Sequence, residues 1–151
     1  MVYLLFILFT YVSWTYIHEL AHLLALKRYK EVKSWSIKPF PHKHPRLGFV
    51  FGSVSYDYEG GLTSYQLGVI SIAPRIPGAL GSLLFCIDTG NLYWDIFFAG
   101  ALIDTLRGSL PLSETSDICR YSKGFNLPVF DLALAQLSFV CLMLYLKLMA
   151  M

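Results

Sequence analysis

His18, Glu19 and His22 occur as His-Glu-Leu-Ala-His, an HExxH spacing. On an α-helix, residues four apart differ by about 40° around the axis and about 6 Å along it, so both imidazoles project from one face. Two ring nitrogens so placed can reach one metal ion at the usual zinc–nitrogen distance of about 2.0–2.1 Å. Glu19 follows the first histidine and is offset by about 100° around the helix. From there its carboxylate can face a water activated by the ion without ligating the ion itself, which is where a general base belongs. A catalytic zinc takes three protein ligands and keeps a fourth position open, so two histidines leave the site one ligand short.

The elements that must position these residues are unusually apolar. Of 151 residues, 56% are hydrophobic and 15% are charged, against roughly 25% charged in an ordinary soluble domain. Mean hydropathy is +0.54. A disordered chain would be poor in apolar residues, and a soluble globule would carry more polar surface. The composition therefore points to an integral membrane protein, and the length to a single domain, residues 1–151. A net charge of +2, with no basic stripe interleaved with aromatics, gives no sign of a nucleic-acid partner. Cys86, Cys119 and Cys141 form no CxxC pair and no disulfide framework, and read as membrane or core thiols.

A transmembrane helix takes about 20 mostly apolar residues. Four spans are expected, at about 2–26, 65–87, 92–106 and 127–148. The first lacks a basic leader and a small-residue cleavage site, so it reads as a span rather than a signal peptide. Pro74 and Pro77 near the start of the second predict a kink or re-entrant entry. Arg75 beside them either snorkels to the interface, pairs with Asp104 or steadies an oxyanion. Asp88 to Asn91 reads as a tight turn. Seven of the 12 Lys and Arg fall between Lys27 and Arg46, and Arg107, Arg120 and Lys123 are three more. The positive-inside rule puts both long loops in the cytoplasm and both termini outside. Within the first loop, Leu47 to Tyr58 alternates Phe49, Phe51, Val54, Tyr56 and Tyr58 with small or polar residues, predicting a β-hairpin or short sheet broken at Gly52. The expected fold is mainly α: a polytopic membrane protein of about four transmembrane helices, with a small β-hairpin or sheet in the first cytoplasmic loop.

This topology narrows the search for a third ligand. His42 and His44 lie in Pro-His-Lys-His-Pro, a basic, proline-bracketed loop with the character of exposed surface. Among carboxylates, Asp88 and Asp95 fall at the end of the bundle away from His22. Asp104, Asp117 and Asp131 fall near it, and Asp131, after Pro128, also suits the start of a helix, where a carboxylate complements the dipole.

At this point the chain resembles the site-2 protease family of intramembrane zinc metalloproteases. HExxH lies in a transmembrane helix, and a β-like loop follows it. Ser71-Ile72-Ala73-Pro74 is similar to the family's Gly-Pro segment. Ser109 to Asp117 is similar to its Asn- and Pro-rich stretch ending in a zinc-binding Asp, which aligns without gaps on Asp117, 95 residues after His22. Ile118 stands where the family has glycine and Ser109 where it has asparagine, and no asparagine follows Ala73-Pro74, so the resemblance is to a divergent or minimal member.

The resemblance implies one zinc ion per chain, held by His18, His22 and Asp117, with Asp104 as the other candidate, and Glu19 as the catalytic base. It implies an endopeptidase acting on a membrane protein or peptide substrate, in a multi-pass protein of the cell membrane with its active site toward the cytoplasm. A helical substrate would have to unwind, and the edge at Phe49 to Tyr58 would bind it by β-augmentation. Two other readings stay open. One is a membrane protein that binds metal without proteolysis. The other is a membrane scaffold or small transporter subunit, whose intramembrane His and Asp are interhelical contacts or a proton path.

Overall fold

The computed structural model describes residues 1–44, 48–50, 52–87, 89–111 and 116–150. The tip of Pro-His-Lys-His-Pro, Phe51, the first residue of the expected 88–91 turn, and Glu114 with the middle of the Ser109–Asp117 stretch lie outside the described residues.

The chain is mainly helical. Helix α1 runs Val2–Leu26, with no proline or glycine to interrupt it, and stops where Lys27 and Arg28 begin a charged turn. A second helical unit has two parts, α2 (Ser64–Ile72) and α3 (Arg75–Phe85). Thr63 opens it with a capping box: its hydroxyl accepts from Gln66 N at 3.2 Å, and Thr63 N donates to the Gln66 side chain at 2.9 Å. The break falls at Ala73–Pro74, as the prolines predict. Helix α4 (Leu92–Ser109) starts at Asn91, whose side chain accepts from Tyr93 N and Trp94 N. It continues three residues past the expected end of the third span. Helix α5 (Asp117–Phe125) stands where the sequence was read as loop, and it ends at Asn126 in the left-handed conformation, φ 53°. Pro128 follows, and α6 (Val129–Ala150) completes the chain.

Three helical units are long and apolar enough to cross a membrane: Val2–Leu26, Ser64–Phe85 and Val129–Ala150. The third expected span, α4, is not among them; it is 18 residues long and carries Asp95, Asp104 and Arg107. Large apolar side chains point outward from α1 (Leu4, Leu5, Leu8), α3 (Leu80, Leu83) and α6 (Leu142, Leu146, Leu148). Helices apolar on every face belong in a core or in lipid.

The loop after α1 is a long hairpin. Strand β1 (Val32–Lys38) pairs antiparallel with β4 (Ser53–Tyr58), and β2 (His42–His44) with β3 (Gly48–Val50), so the two ladders follow one another. The expected break is at Gly52, but the expected hairpin is not confined to 47–58. That stretch is one arm, and its partner is the basic segment 32–44, whose mostly exposed residues leave little apolar alternation to read.

Small residues set the helix spacing. Trp14 is buried between Gly81 of α3 and Gly100 of α4; a Cβ at either glycine would overlap the indole. Its Nε1 donates to Phe97 O at 2.7 Å. Leu102, Val140 and Met143 join α4 to α6, and Lys147 donates to Asp95 at 2.7 Å at the far end of the same pair. Replacing Trp14 with Ala should lower stability by about 3–5 kcal/mol, the usual cost of truncating a buried aromatic. Thermal unfolding in detergent, compared with a substitution at exposed Leu4, checks this; equal melting of the two variants would show that the indole is not the keystone of α1, α3 and α4.

Candidate metal centre

His18 and His22 project from successive turns of α1, their rings edge to face with centroids 5.0 Å apart. Each ring is held through Nδ1. His18 Nδ1 lies 2.8 Å from Asp104 Oδ2, and His22 Nδ1 lies 2.8 Å from Ile70 O. When Nδ1 donates, a neutral imidazole keeps its lone pair on Nε2. Both Nε2 atoms approach one carboxylate oxygen: Asp117 Oδ2 is 3.1 Å from that of His18 and 3.2 Å from that of His22.

These separations test the donor set for a metal ion. Ligands on a tetrahedral ion with bonds of about 2.0–2.1 Å stand about 3.3–3.4 Å apart. The ligand atoms of His18, His22 and Asp117 lie within 4.8 Å of one another, and the group could hold a metal ion. Read as plain hydrogen bonds, the same contacts form a cluster in which the two imidazoles share Asp117 and are each tied on the other side, His18 to Asp104 and His22 to Ile70 O. The group is largely enclosed, with side-chain exposures of 5% for His18, 12% for His22 and 19% for Asp117. Burial acts to raise the Asp117 carboxyl, but His22 and His18 outweigh it and hold the group well below the ordinary carboxylate range. An ionised carboxylate is the form that ligates a metal ion.

Each partner of the histidines has a local cause. Ile70 would normally give its carbonyl to the N–H four residues on, but that residue is Pro74, which has none. The break in the second helical unit thus leaves an acceptor for His22. Asp104, on α4, accepts from Arg107 Nη2 at 2.9 Å through its other oxygen. Arg75 binds neither carboxylate directly. It donates from Nη1 to Thr105 O at 3.2 Å and from Nη2 to Gly108 O, satisfying carbonyls of the last turn of α4. A side chain on Gly108 would occupy the place of that guanidinium. Asp117 opens α5, and α5 packs on α2 where Gly124 meets Gly68: a Cβ on Gly124 would lie 2.6 Å from Gly68 Cα and 2.7 Å from Ser64 O.

Glu19 is buried, 7% exposed, and stands outside the three-residue group. Gly52, at the entrance to β4, lies beside it; a Cβ there would sit 3.4 Å from Glu19 Oε1 and against Thr15. Tyr56, two turns of alternation further along β4, feels the charges of Arg120, Glu19 and Asp117. Burial pushes its phenol up, so it stays protonated beside the carboxylates.

The sequence-derived candidates therefore separate. His18, His22 and Asp117 come together, and Asp104 lies one shell out, on the far nitrogen of His18. His42 is held within the hairpin, donating from Nδ1 to Phe40 O at 2.8 Å and lying 3.0 Å from Ser53 Oγ. Asp95 pairs with Lys147, and Asp131 sits in the first turn of α6. Ile70 O and Tyr56 were missed. A backbone carbonyl leaves no residue-type signal, although Pro74 four residues later could have marked it; Tyr56 was read only as part of an alternating strand.

Outer partners of metal-bound histidines typically contribute 10- to 100-fold to affinity. Asp104→Asn should weaken zinc binding by about that factor, and Asp117→Ala or His22→Ala should abolish stoichiometric binding. Pro74→Ala restores a donor for Ile70 O and should also cost about 10- to 100-fold in affinity while leaving the helix at least as stable. Competition titrations against a chromophoric chelator in detergent measure all four. Unchanged affinity in Pro74→Ala would show that His22 does not need the freed carbonyl.

The chain matches no protein-family model, no curated protein and no solved structure.

Proposed function

We propose that this protein is a membrane-embedded zinc endopeptidase, with His18, His22 and Asp117 as metal ligands and Glu19 as general base. The observation that carries the reading is the convergence of two Nδ1-tethered imidazoles and one carboxylate on a common point, within 4.8 Å, beside a buried glutamate. Two imidazoles and a carboxylate are a catalytic zinc donor set, which leaves one position for water or substrate. A zinc ion held there supplies Lewis acidity, lowering the pKa of water and polarising a carbonyl. Glu19 takes the proton of the attacking water and passes it to the leaving amine. No hydrogen bond or ion pair ties the Glu19 carboxylate among the described residues, which suits a group that must shuttle a proton.

The bilayer placement rests on the three apolar helical units and on the apolar side chains they turn outward. We place α4 within the same bilayer as a fourth, shorter crossing, its charges turned to partners inside the bundle. We assign the basic residues from Lys27 to Lys43, with Arg107, Arg120 and Lys123, to the metal side, since they follow His22 on α1 and Asp104 on α4 in the chain, and the positive-inside rule takes that side as the cytoplasm. The substrate is a membrane protein or peptide whose helix has opened. Strand β4 begins beside Glu19, so an unwound segment added to the hairpin edge would lie next to the base. The resemblance to the site-2 protease family points the same way.

Metal analysis of the detergent-purified protein is the first test, with about one zinc per chain expected. Glu19→Gln should keep that zinc and lose roughly 100- to 10,000-fold in cleavage of a transmembrane peptide in proteoliposomes, the range of general-base contributions. Zinc with no hydrolysis of any membrane peptide in the wild type would move the assignment to a non-proteolytic metal-binding protein. Absence of stoichiometric metal after reconstitution would leave the HExxH residues as interhelical contacts.

A further inference from the structure

Tyr56 packs on the metal side of the hairpin, yet nothing in the fold uses its hydroxyl. Its half-buried ring lies against the cluster of Ala25, Leu26 and Ile70. Ala25 and Leu26 belong to the turn of α1 that follows His22, and Ile70 holds His22 through its carbonyl. Residues two apart on a strand share a face, so Tyr56 stands on the face of Gly52, which borders Glu19. The phenol is close enough to Arg120, Glu19 and Asp117 to feel all three charges. Among the described residues its hydroxyl makes no hydrogen bond. A phenylalanine would fill the same space.

Arg120 has the same character. It follows Asp117 by three residues on α5, which sets the two side chains on one side of the helix. It is half-buried, and among the described residues its guanidinium has no hydrogen-bond or ion-pair partner. The other donors near the site are engaged. Arg75 serves carbonyls of α4, Arg107 serves Asp104, and both imidazoles are tied through Nδ1. A phenol and a guanidinium are thus left idle beside the carboxylates of Asp117 and Glu19.

The proposed hydrolysis, on which this inference rests, calls for such donors. As water adds, its oxygen bonds to the scissile carbonyl carbon and its proton passes to Glu19. The π pair of the carbonyl moves onto the carbonyl oxygen, which becomes an anion. When the carbon–nitrogen bond breaks, that pair returns to the carbonyl and the proton on Glu19 goes to the leaving amine. Donors already aimed at the oxygen stabilise the charged stage without reorganising. Carboxylates cannot donate to it. We infer that Tyr56 and Arg120 clamp this oxyanion, the hydroxyl and the guanidinium both donating to the scissile carbonyl oxygen as its charge develops. The hairpin then brings a catalytic donor to the site as well as an edge for the substrate.

The test uses the full zinc-loaded chain in detergent, with Tyr56→Phe and Arg120→Gln, and Tyr58→Phe as a control on the same strand. Two peptides of one sequence serve as probes. One is a phosphonamidate, which carries a permanent tetrahedral anion; the other is a reduced amide, which has no oxygen at that position. Tyr56→Phe and Arg120→Gln should each bind the phosphonamidate about 10- to 100-fold more weakly than the wild type, the worth of a hydrogen bond to a charged group. Their affinity for the reduced amide, their zinc content and KM should not change, while kcat falls by about 100- to 1,000-fold. Tyr58→Phe should match the wild type throughout. Equal losses of affinity for both probes, or loss of zinc, would make the two residues structural and overturn the clamp. So would unchanged phosphonamidate binding in both variants of a chain that cleaves peptides normally, and that result would leave the endopeptidase reading standing. A wild type that holds zinc and cleaves no membrane peptide would instead overturn that reading, and the clamp with it.

Discussion

Two imidazoles can offer their lone pairs to one point only if each is held by its other nitrogen. That constraint organises much of this structure. HExxH on α1 provides two rings of the right spacing, but a free imidazole rotates and exchanges its proton between nitrogens. Here one ring is fixed by a carboxylate from α4 and the other by a carbonyl from the broken second helical unit. The third member arrives on α5, brought close by two glycines that let α5 and α2 approach to backbone contact. Each partner comes from a different element, so the site exists only where all of them meet.

The surroundings explain why so many polar groups tolerate burial. In an apolar bundle an unpaired charge or an idle backbone carbonyl is costly. Asp104 is shared between His18 and Arg107, and Arg75 spends its donors on the last carbonyls of α4. Asp95 and Lys147 satisfy each other at the opposite end. Asp104, Arg107, Asp95 and Lys147 are thus paired, Glu19 stands apart, and the set around His18 and His22 is the one whose members converge on a common point.

Much of this was legible in the sequence, and the reasons for the rest are physical. The helices were readable because apolar length and proline position are local properties, and the break at Pro74 follows from a missing donor. The HExxH pair was readable because its geometry is fixed within one turn of one helix. Asp117 came only through an ungapped alignment to a family pattern, since nothing local distinguishes a ligand at a helix start from an ordinary first-turn carboxylate. The roles of Asp104 and Ile70 depended on which elements pack beside α1, a tertiary fact. Helix α5 hid because it is short and amphipathic between a proline-containing stretch and a turn. The basic arm of the hairpin hid because exposed strands need not alternate in hydrophobicity.

The separation of the ligands along the chain also bears on biogenesis. His18 and His22 are synthesised before Asp117, which follows 95 residues after His22. A nascent chain therefore carries a two-nitrogen chelate long before it carries a complete site. On the proposed metal reading, loading would become tight only after α5 has docked on α2, so metal uptake would mark completed assembly rather than the start of it. An incompletely inserted chain would hold its ion weakly and release it, and would be distinguished from the finished protein without any separate inspection.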